Sequence, residues 1–161
     1  MLRRSPRLAV LLAVTSISLA GCATRVAVEP APSAGDPVCA KVVLSLPDTL
    51  GGLPRLLTDS QASVAWGDPT HPVVLRCGVE PPGPTTDQCV TADDGTYSVD
   101  WVAVPGKADA EGYADWTFTT YGRSPAVEVF VPLQVTDTRS TAFLMELGRA
   151  ISQVPATRHC V

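Results

Sequence analysis

The residues best suited to chemistry are concentrated in the stretch WGDPTHPVVLRCGV, from Trp66 to Val79. It contains an aspartate, a histidine, an arginine and a cysteine. A histidine beside a nucleophile would suggest acyl transfer or hydrolysis. An arginine beside aromatic rings would instead suggest a site for a carboxylate or phosphate ligand. The simplest interpretation is a proline-set turn that leads into a buried strand, and this is the one we expect.

A catalytic base is hard to find in this chain. It has two histidines: His71 lies between prolines in a turn, and His159 lies close to the end of the chain. No GxSxG or SxxK element is present, and no glycine-rich phosphate loop. Carboxylate pairs such as Asp93-Asp94 fall in turns, where solvation is their ordinary role. We therefore expect no enzyme and no cofactor.

A ligand platform on one face of the strands is the second possibility. Arginine would take an anionic group of the ligand and aromatic rings would stack on the rest. The residues that could build it are Trp66, Arg76, Trp101, Tyr121 and Arg123. Alternation places Arg76 away from Leu75 and Cys77, and Glu128 away from its apolar neighbours. An Arg76–Glu128 ion pair that organises the sheet is therefore the stronger expectation for this face.

The N-terminus has the pattern of a targeting segment. Three arginines, Arg3, Arg4 and Arg7, precede an apolar run from Leu8 to Leu19, which is the usual length of a signal-peptide core and short for a membrane span. The box LAGC that follows resembles the lipobox of bacterial lipoproteins. The resemblance implies that residues 1–21 are removed and that Cys22 carries the lipid, including palmitate. An uncleaved anchor and an ordinary secretory signal are the alternatives.

Charge and composition limit the partners of the remaining chain. Removal of the three N-terminal arginines from twelve basic residues leaves nine against sixteen acidic ones, a net charge of −7. A domain with this negative charge is a poor candidate for binding nucleic acid or anionic lipid headgroups. We expect it to be held on the outer face of the cell membrane by its lipid.

The segment after the lipobox is rich in alanine and proline. We expect residues 22–37 to be a lipid-anchored flexible linker and residues 38–161 to form one extracytoplasmic domain. Four further cysteines suggest two disulfides outside the cytoplasm, with three pairings open. A metal site is not expected, because CxxC and HxxxH spacings are absent. The four cysteines are Cys39, Cys77, Cys89 and Cys160.

The elements that must position these residues are mostly strands. Alternation predicts strands over 62–66, 73–79, 97–104, 113–122 and 126–133, and less clearly over Cys39–Pro47, where a short helix is the alternative. LGGLPRLL predicts a turn with a brief helical piece. A helix from Thr136 or Asp137 to Val154 would place Phe143, Leu147 and Ile151 on one stripe. We predict an α+β fold, a single small disulfide-bonded domain with an antiparallel sheet and a covering helix near the C-terminus.

Several segments together resemble a known family. CAKVVLSLP, WGDPTHPVVLRCGV, DGTYSVDW, TTYGRSPAVEVFVP and the late helix are similar, in that order, to actinobacterial proteins of the domain-of-unknown-function 3515 family. The resemblance covers Cys39 to about Pro155. It implies a secreted or lipid-anchored protein and no assigned activity. It also implies the disulfides Cys39–Cys77 and Cys89–Cys160.

The sequence thus favours a non-enzymatic, lipid-anchored component of the cell envelope. Its partner would be an envelope protein or a glycan. The alternative is a small-ligand-binding lipoprotein that uses the aromatic and arginine face.

Overall fold

The computed structural model describes residues 25–160. Its centre is an eight-stranded antiparallel sheet. The strands are β1 (Thr49–Leu50), β2 (Leu53–Leu56), β3 (Ser63–Asp68), β4 (His71–Val79), β5 (Gln88–Asp93), β6 (Ser98–Pro105), β7 (Trp116–Thr120) and β8 (Ala126–Val131). Their order in the sheet is β1-β2-β3-β4-β8-β7-β6-β5. The helices are α1 (Pro37–Ser45), α2 (Leu133–Thr136), a 3₁₀ helix (Thr141–Leu147) and α3 (Gly148–Ile151).

Alternation along the strands gives the sheet two different faces. On the first, side chains such as Leu75, Val129 and Trp101 are fully buried in one core with residues of the helices. On the second, Val74 and Phe130 remain half-buried. We call these the helix-covered face and the open face. Each large aliphatic side chain buried on the first contributes about 1.5–3 kcal/mol to folding.

The predicted single domain and antiparallel sheet are confirmed, with helical segments near the C-terminus packed on the sheet. The label α+β fits only loosely, because strands dominate the described residues. The alternation predicted for the central strand is also confirmed. In β4, Val73, Leu75 and Cys77 are buried, whereas Val74 and Arg76 are half-buried on the open face.

The prediction of a strand over Cys39–Pro47 is wrong, since this segment forms α1 and the short helix was the correct alternative. An Asp36 side-chain oxygen accepts a hydrogen bond from the backbone N–H of Val38 at 2.9 Å. Pro37 follows at the first helical position, where its missing N–H costs nothing. Val42 then lies one turn after the buried Cys39. The start signal Asp-Pro outweighs the β-branched residues of the segment.

The segment LGGLPRLL forms a hairpin rather than a turn with a helical piece. Leu50 pairs with Leu53 across Gly51 and Gly52, which have φ angles of +56° and +77°. A two-residue turn with both φ angles positive matches the twist of the flanking strands, and glycine adopts it without steric cost.

The predicted continuous helix from Thr136 to Val154 is wrong, because this segment forms a 3₁₀ helix over Thr141–Leu147 and the short α3 over Gly148–Ile151, while α2 ends at Thr136. Thr136 lies at the end of α2 and Asp137 follows it, so neither residue caps the helical segment after them. Ser140 caps the 3₁₀ helix instead, because its side-chain oxygen accepts a hydrogen bond from the N–H of Ala142. The hydroxyls of Thr136 and Thr138 bond back to carbonyls three or four residues earlier, which competes with helix continuation. The predicted stripe is nevertheless buried: Phe143, Leu147, Ala150, Ile151 and Val154.

The prediction of a flexible linker is wrong for the described part of residues 22–37. Ala31 and Ala34 are buried. The Ser33 N–H donates to the carbonyl of Gly78 at 2.8 Å. Gly78 has a φ of +102°, and a Cβ there would lie 2.4 Å from the carbonyl carbon of Ser33. This close approach lets residues 31–34 pack directly on β4, so the ordered unit begins well before Val38.

Candidate functional site

The open face carries two continuous cross-strand rows of side chains. The strand register defines both, because residues paired on neighbouring strands point to the same side. The first row is mainly apolar and contains Leu56, Ala65, Val74, Phe130, Thr117 and Val104. The second is mainly polar and contains Ser63, Arg76, Glu128, Thr119, Val102 and Cys89.

The centre of the polar row is an ion pair between Arg76 and Glu128, which are direct partners on β4 and β8. The Arg76 Nη2 and Nε donate to Oε1 of Glu128 at 2.6 and 3.1 Å. Nη1 donates to the carbonyl of Glu29 at 3.2 Å. The two side chains are 29 % and 22 % exposed. The expected pair is confirmed, and it also ties the N-terminal segment to the sheet.

A cavity of ≈ 470 Å³ lies at the β5–β6 side of the open face. Val102 and Tyr121 line its sheet side, and His159 lines it from the C-terminal tail. The proline-rich loop through Asp87 forms another wall. The disulfide between Cys89 and Cys160 joins the edge strand to the tail and holds these walls together.

Asp100 anchors the C-terminal tail beside this cavity. Thr91 Oγ1 donates to its Oδ1 at 2.7 Å, and the Cys160 N–H and His159 Nδ1 lie 3.1 and 3.2 Å from Oδ2. Burial alone would raise the pKa of Asp100. The hydrogen bonds from Thr91, Cys160 and His159 together outweigh burial and lower the pKa below its ordinary value.

Arg123 has a structural position. Its guanidinium donates to the carbonyls of Val154 and Ser98, and the residue is buried. Burial lowers the pKa of Arg123, and the charge of Asp100 raises it in part. The guanidinium therefore holds the end of the C-terminal helical segment against β6 and is not presented to a ligand.

The chain also matches a family model, described as a protein of unknown function (DUF3515), over residues 7–159. This chain belongs to the domain-of-unknown-function 3515 family. No curated protein and no solved structure gives a match. Membership establishes the family of the domain and assigns it no activity.

The ligand platform predicted from the sequence is not assembled in this family member. Trp66 and Trp101 are fully buried on the helix-covered face, and the Trp66 Nε1 donates to the carbonyl of Pro47 at 3.1 Å. Arg123 is engaged with carbonyls. Arg76, Glu128 and Tyr121 do share the open face. The aromatic part of the prediction is wrong, because the helices cover the side of the sheet on which both tryptophans lie.

The open face also contains residues that sequence reasoning missed. Val74, Thr117 and Phe130 make up the middle of the apolar row. Alternation in AVEVFV gives a signal for Phe130, since it shares a side with Glu128. The contact between Asp100 and His159 had no such signal, because His159 lies in the C-terminal tail, outside any strand whose alternation could relate it to Asp100.

The structure forms the two disulfides that the family resemblance implied. Cys39 and Cys77 join α1 to β4 inside the core, with a Cα–Cα distance of 5.4 Å. Cys89 and Cys160 have a Cα–Cα distance of 6.3 Å. Cys22 lies outside the described residues. Within residues 25–160, no group of three or more histidine, cysteine or acidic side chains could hold a metal ion. In the same range, no helix has the length and apolar character needed to cross a membrane.

Proposed function

We propose that this protein is a non-enzymatic binding or structural component of an actinobacterial cell envelope. Lipid on Cys22 would hold it at the outer face of the cell membrane. The open face of the sheet would contact another envelope component, a protein or a glycan. The observation that carries the proposal is that helices cover one face of the sheet, whereas the middle of the other face, at Val74, Phe130 and Thr117, stays half-exposed.

The composition of the open face supports a macromolecular partner. The apolar row, from Leu56 to Val104, crosses six strands, and Val74, Phe130 and Thr117 along it are half-buried rather than enclosed. Hydroxyl and charged side chains border it in the second row. An apolar strip beside polar groups is the usual composition of a protein–protein interface.

The arrangement of the charged groups supports a role without catalysis. Arg76 is paired with Glu128, and Arg123 is bound to backbone carbonyls. Asp100 holds the backbone and side chain of the C-terminal tail. In each case the charge is used to join elements of the fold.

Site-specific photo-crosslinking in living cells tests the proposal directly. A photoreactive amino acid is placed at Thr119 on the open face, and in a matched variant at Gln153, an exposed residue just after α3. We expect a reproducible adduct, protein or glycan, from the Thr119 position and none from Gln153. Mass spectrometry of the adduct identifies the partner class.

A Cys22→Ser form is the control for location. It should leave the membrane fraction and lose the adduct. Equal labelling from Thr119 and Gln153, or no adduct from a well-expressed and anchored protein, would contradict the proposal.

Binding of a small ligand is a second candidate, and the cavity beside Tyr121 and His159 favours it. A cavity of ≈ 470 Å³ is within the size range of ligand sites. A thermal-shift screen with metabolites tests this function. A compound that stabilises the parent protein but not a Tyr121→Ala variant would support it.

A further inference from the structure

The point where the N-terminal chain joins the domain is fixed by several hydrogen bonds. The Val26 N–H donates to the carbonyl of Leu57 at 2.8 Å, and the Asp59 N–H donates to the carbonyl of Val26 at 3.1 Å. Val28 N–H donates to Oδ1 of Asp59 at 2.9 Å. The side chain of Arg25 donates to the carbonyl of Thr58 at 3.1 Å. These contacts hold the chain against the loop that follows β2.

The distance from this point to the proposed lipid is therefore short. Cys22 precedes Val26 by four residues, and an extended chain spans at most about 3.6 Å per residue. The Cα atoms of Cys22 and Val26 can be no more than about 14 Å apart. With a lipid on Cys22, the bilayer surface must lie within reach of whatever surrounds Val26.

Exposed apolar side chains lie at this point and on the neighbouring helix α1. Leu57, whose carbonyl binds Val26, is 55 % exposed, and Leu44 on α1 is 85 % exposed. These are the two most exposed large apolar residues within the described range. Leu44 borders a hollow of ≈ 330 Å³ that is also lined by Gln61 and Ala62 of the loop after β2. Arg55 of β2 also joins that strand to α1, since its guanidinium donates to the carbonyl of Val43 at 3.3 Å.

Cationic residues accompany the two leucines. Lys41 precedes Leu44 by three positions on α1 and is exposed, which places the two on one side of the helix. Arg25 is also exposed, beside Thr58. Lysine and arginine can lay their stems on apolar surface while the charge stays in the headgroup layer. This mixture of exposed leucines and long cations suits a lipid–water interface.

We infer that Leu57 and Leu44, with Lys41 and Arg25, form a membrane-contact corner that inserts into the outer surface of the lipid bilayer. This inference rests on the proposed lipidation of Cys22. The short reach of the chain selects a lipid surface as the occupant, because the anchor brings the bilayer to this corner. The contact would fix the orientation of the domain and keep it from swinging on its anchor.

Fluorescence quenching by brominated lipid tests the orientation. The full chain is expressed in cells, purified from the membrane fraction and reconstituted in phosphatidylcholine vesicles with or without brominated acyl chains. A tryptophan is introduced as Leu57→Trp, and as Leu44→Trp in a second variant. The parent protein is measured in parallel to subtract its three tryptophans.

Tyr113→Trp is the matched control. Tyr113 is 46 % exposed, similar to Leu57. It lies in the loop between β6 and β7, and β7 is four positions from β2 in the sheet, about 19 Å away at the usual strand spacing. Equal thermal melting of the variants and the parent shows that all are folded.

In vesicles, we expect the added emission of Leu57→Trp and Leu44→Trp to shift to the blue and to be lost in brominated lipid. The emission of Tyr113→Trp should change little. If the protein floats with the vesicles but both corner tryptophans are quenched no more than Tyr113→Trp, the corner does not contact lipid and only this inference is overturned. If the purified full chain does not float, anchoring itself fails, and the inference fails with it.

Discussion

At the scale of single residues, the Arg76–Glu128 pair has the clearest structural role. It joins β4 to β8 and holds the carbonyl of Glu29. Because both side chains are partly exposed, solvent weakens the pair, and we expect a contribution near the upper limit for surface pairs, about 1 kcal/mol.

Replacement of Arg76 by alanine should therefore lower the free energy of unfolding by about 1–2 kcal/mol, because it also removes the bond to Glu29. Urea unfolding of Arg76→Ala, Glu128→Gln and the double variant measures the coupling between the two residues. Arg76→Lys is the matched control, since it keeps the charge and loses the forked geometry. Unchanged stability in Arg76→Ala with loss of the crosslinked partner would show that the residue belongs to the binding surface instead.

Asp100 should make the stability of the protein depend on pH at the acidic end. Its pKa is lowered in the folded state, so the unfolded chain takes up a proton first as the pH falls. The contribution of Asp100 to the free energy of unfolding is complete above the ordinary aspartate pKa of about 3.9, and it is lost as the pH drops through that value and below it.

Replacement by asparagine should remove this dependence. We expect Asp100→Asn to be less stable than the parent at pH 7, while the two free energies of unfolding converge at low pH. Urea unfolding at a series of pH values from 7 down into the acidic range measures the free energy of unfolding of the parent and of Asp100→Asn. Glu111→Gln, in an exposed loop, is the matched control and should follow the parent. Parallel curves for the parent and Asp100→Asn would contradict the role given to the hydrogen bonds of Asp100.

At the scale of elements, the N-terminal segment depends on one glycine of β4. Gly78→Ala should cost about 1–2 kcal/mol for the positive φ and a further 1–3 kcal/mol for the collision with Ser33 and Ala34. Hydrogen exchange at the Ser33 amide, which donates to the Gly78 carbonyl, should accelerate as the segment lifts from the strand.

The variant Gly112→Ala separates the cost of the positive φ from the cost of the collision with the N-terminal segment. Gly112 has a φ of +91° and nothing within 4 Å of an added Cβ, so only the backbone cost applies. Equal losses of stability in the two variants, with no change in exchange at Ser33, would show that residues 31–34 do not depend on this contact.

At the scale of the whole molecule, the two disulfides stabilise the fold by different means. Their cysteines are 38 and 71 residues apart, and loop-closure entropy gives about 4 kcal/mol for either bridge. Cys39 and Cys77 are fully buried in the core, whereas Cys89 is exposed on the open face. Only the first bridge also contributes packing.

Removal of Cys39–Cys77 should therefore destabilise the protein more than removal of Cys89–Cys160. The double variants Cys39→Ala/Cys77→Ala and Cys89→Ala/Cys160→Ala are each other's control, because their entropic losses are similar. Thermal melting compares them. A lower melting temperature for the Cys89→Ala/Cys160→Ala variant would indicate that the tail and the cavity contribute more to the fold than the packed core bridge does.

Local sequence patterns were sufficient to predict the structure wherever neighbouring residues along the chain carry the signal. Alternation in VVLRCGV and AVEVFV predicted β4 and β8, their buried sides and the Arg76–Glu128 pair. The same kind of pattern failed at Cys39–Pro47, where a two-residue helix start outweighed the strand-like composition. It failed again after Thr136, where threonine hydroxyls compete for the helix carbonyls.

By itself, the sequence determined the strands β3, β4, β6, β7 and β8, the stripe of buried residues near the C-terminus and the Arg76–Glu128 ion pair. Through family resemblance it also gave the disulfide pairs. Only the tertiary structure decided that both tryptophans are in the core, that Asp100 meets the C-terminal tail, and that residues 26–36 are packed on the domain. The reason is that side-chain alternation is a local property, readable along one strand. Contacts between Gly78 and Ser33, or between Asp100 and His159, depend on how distant segments meet when the sheet folds.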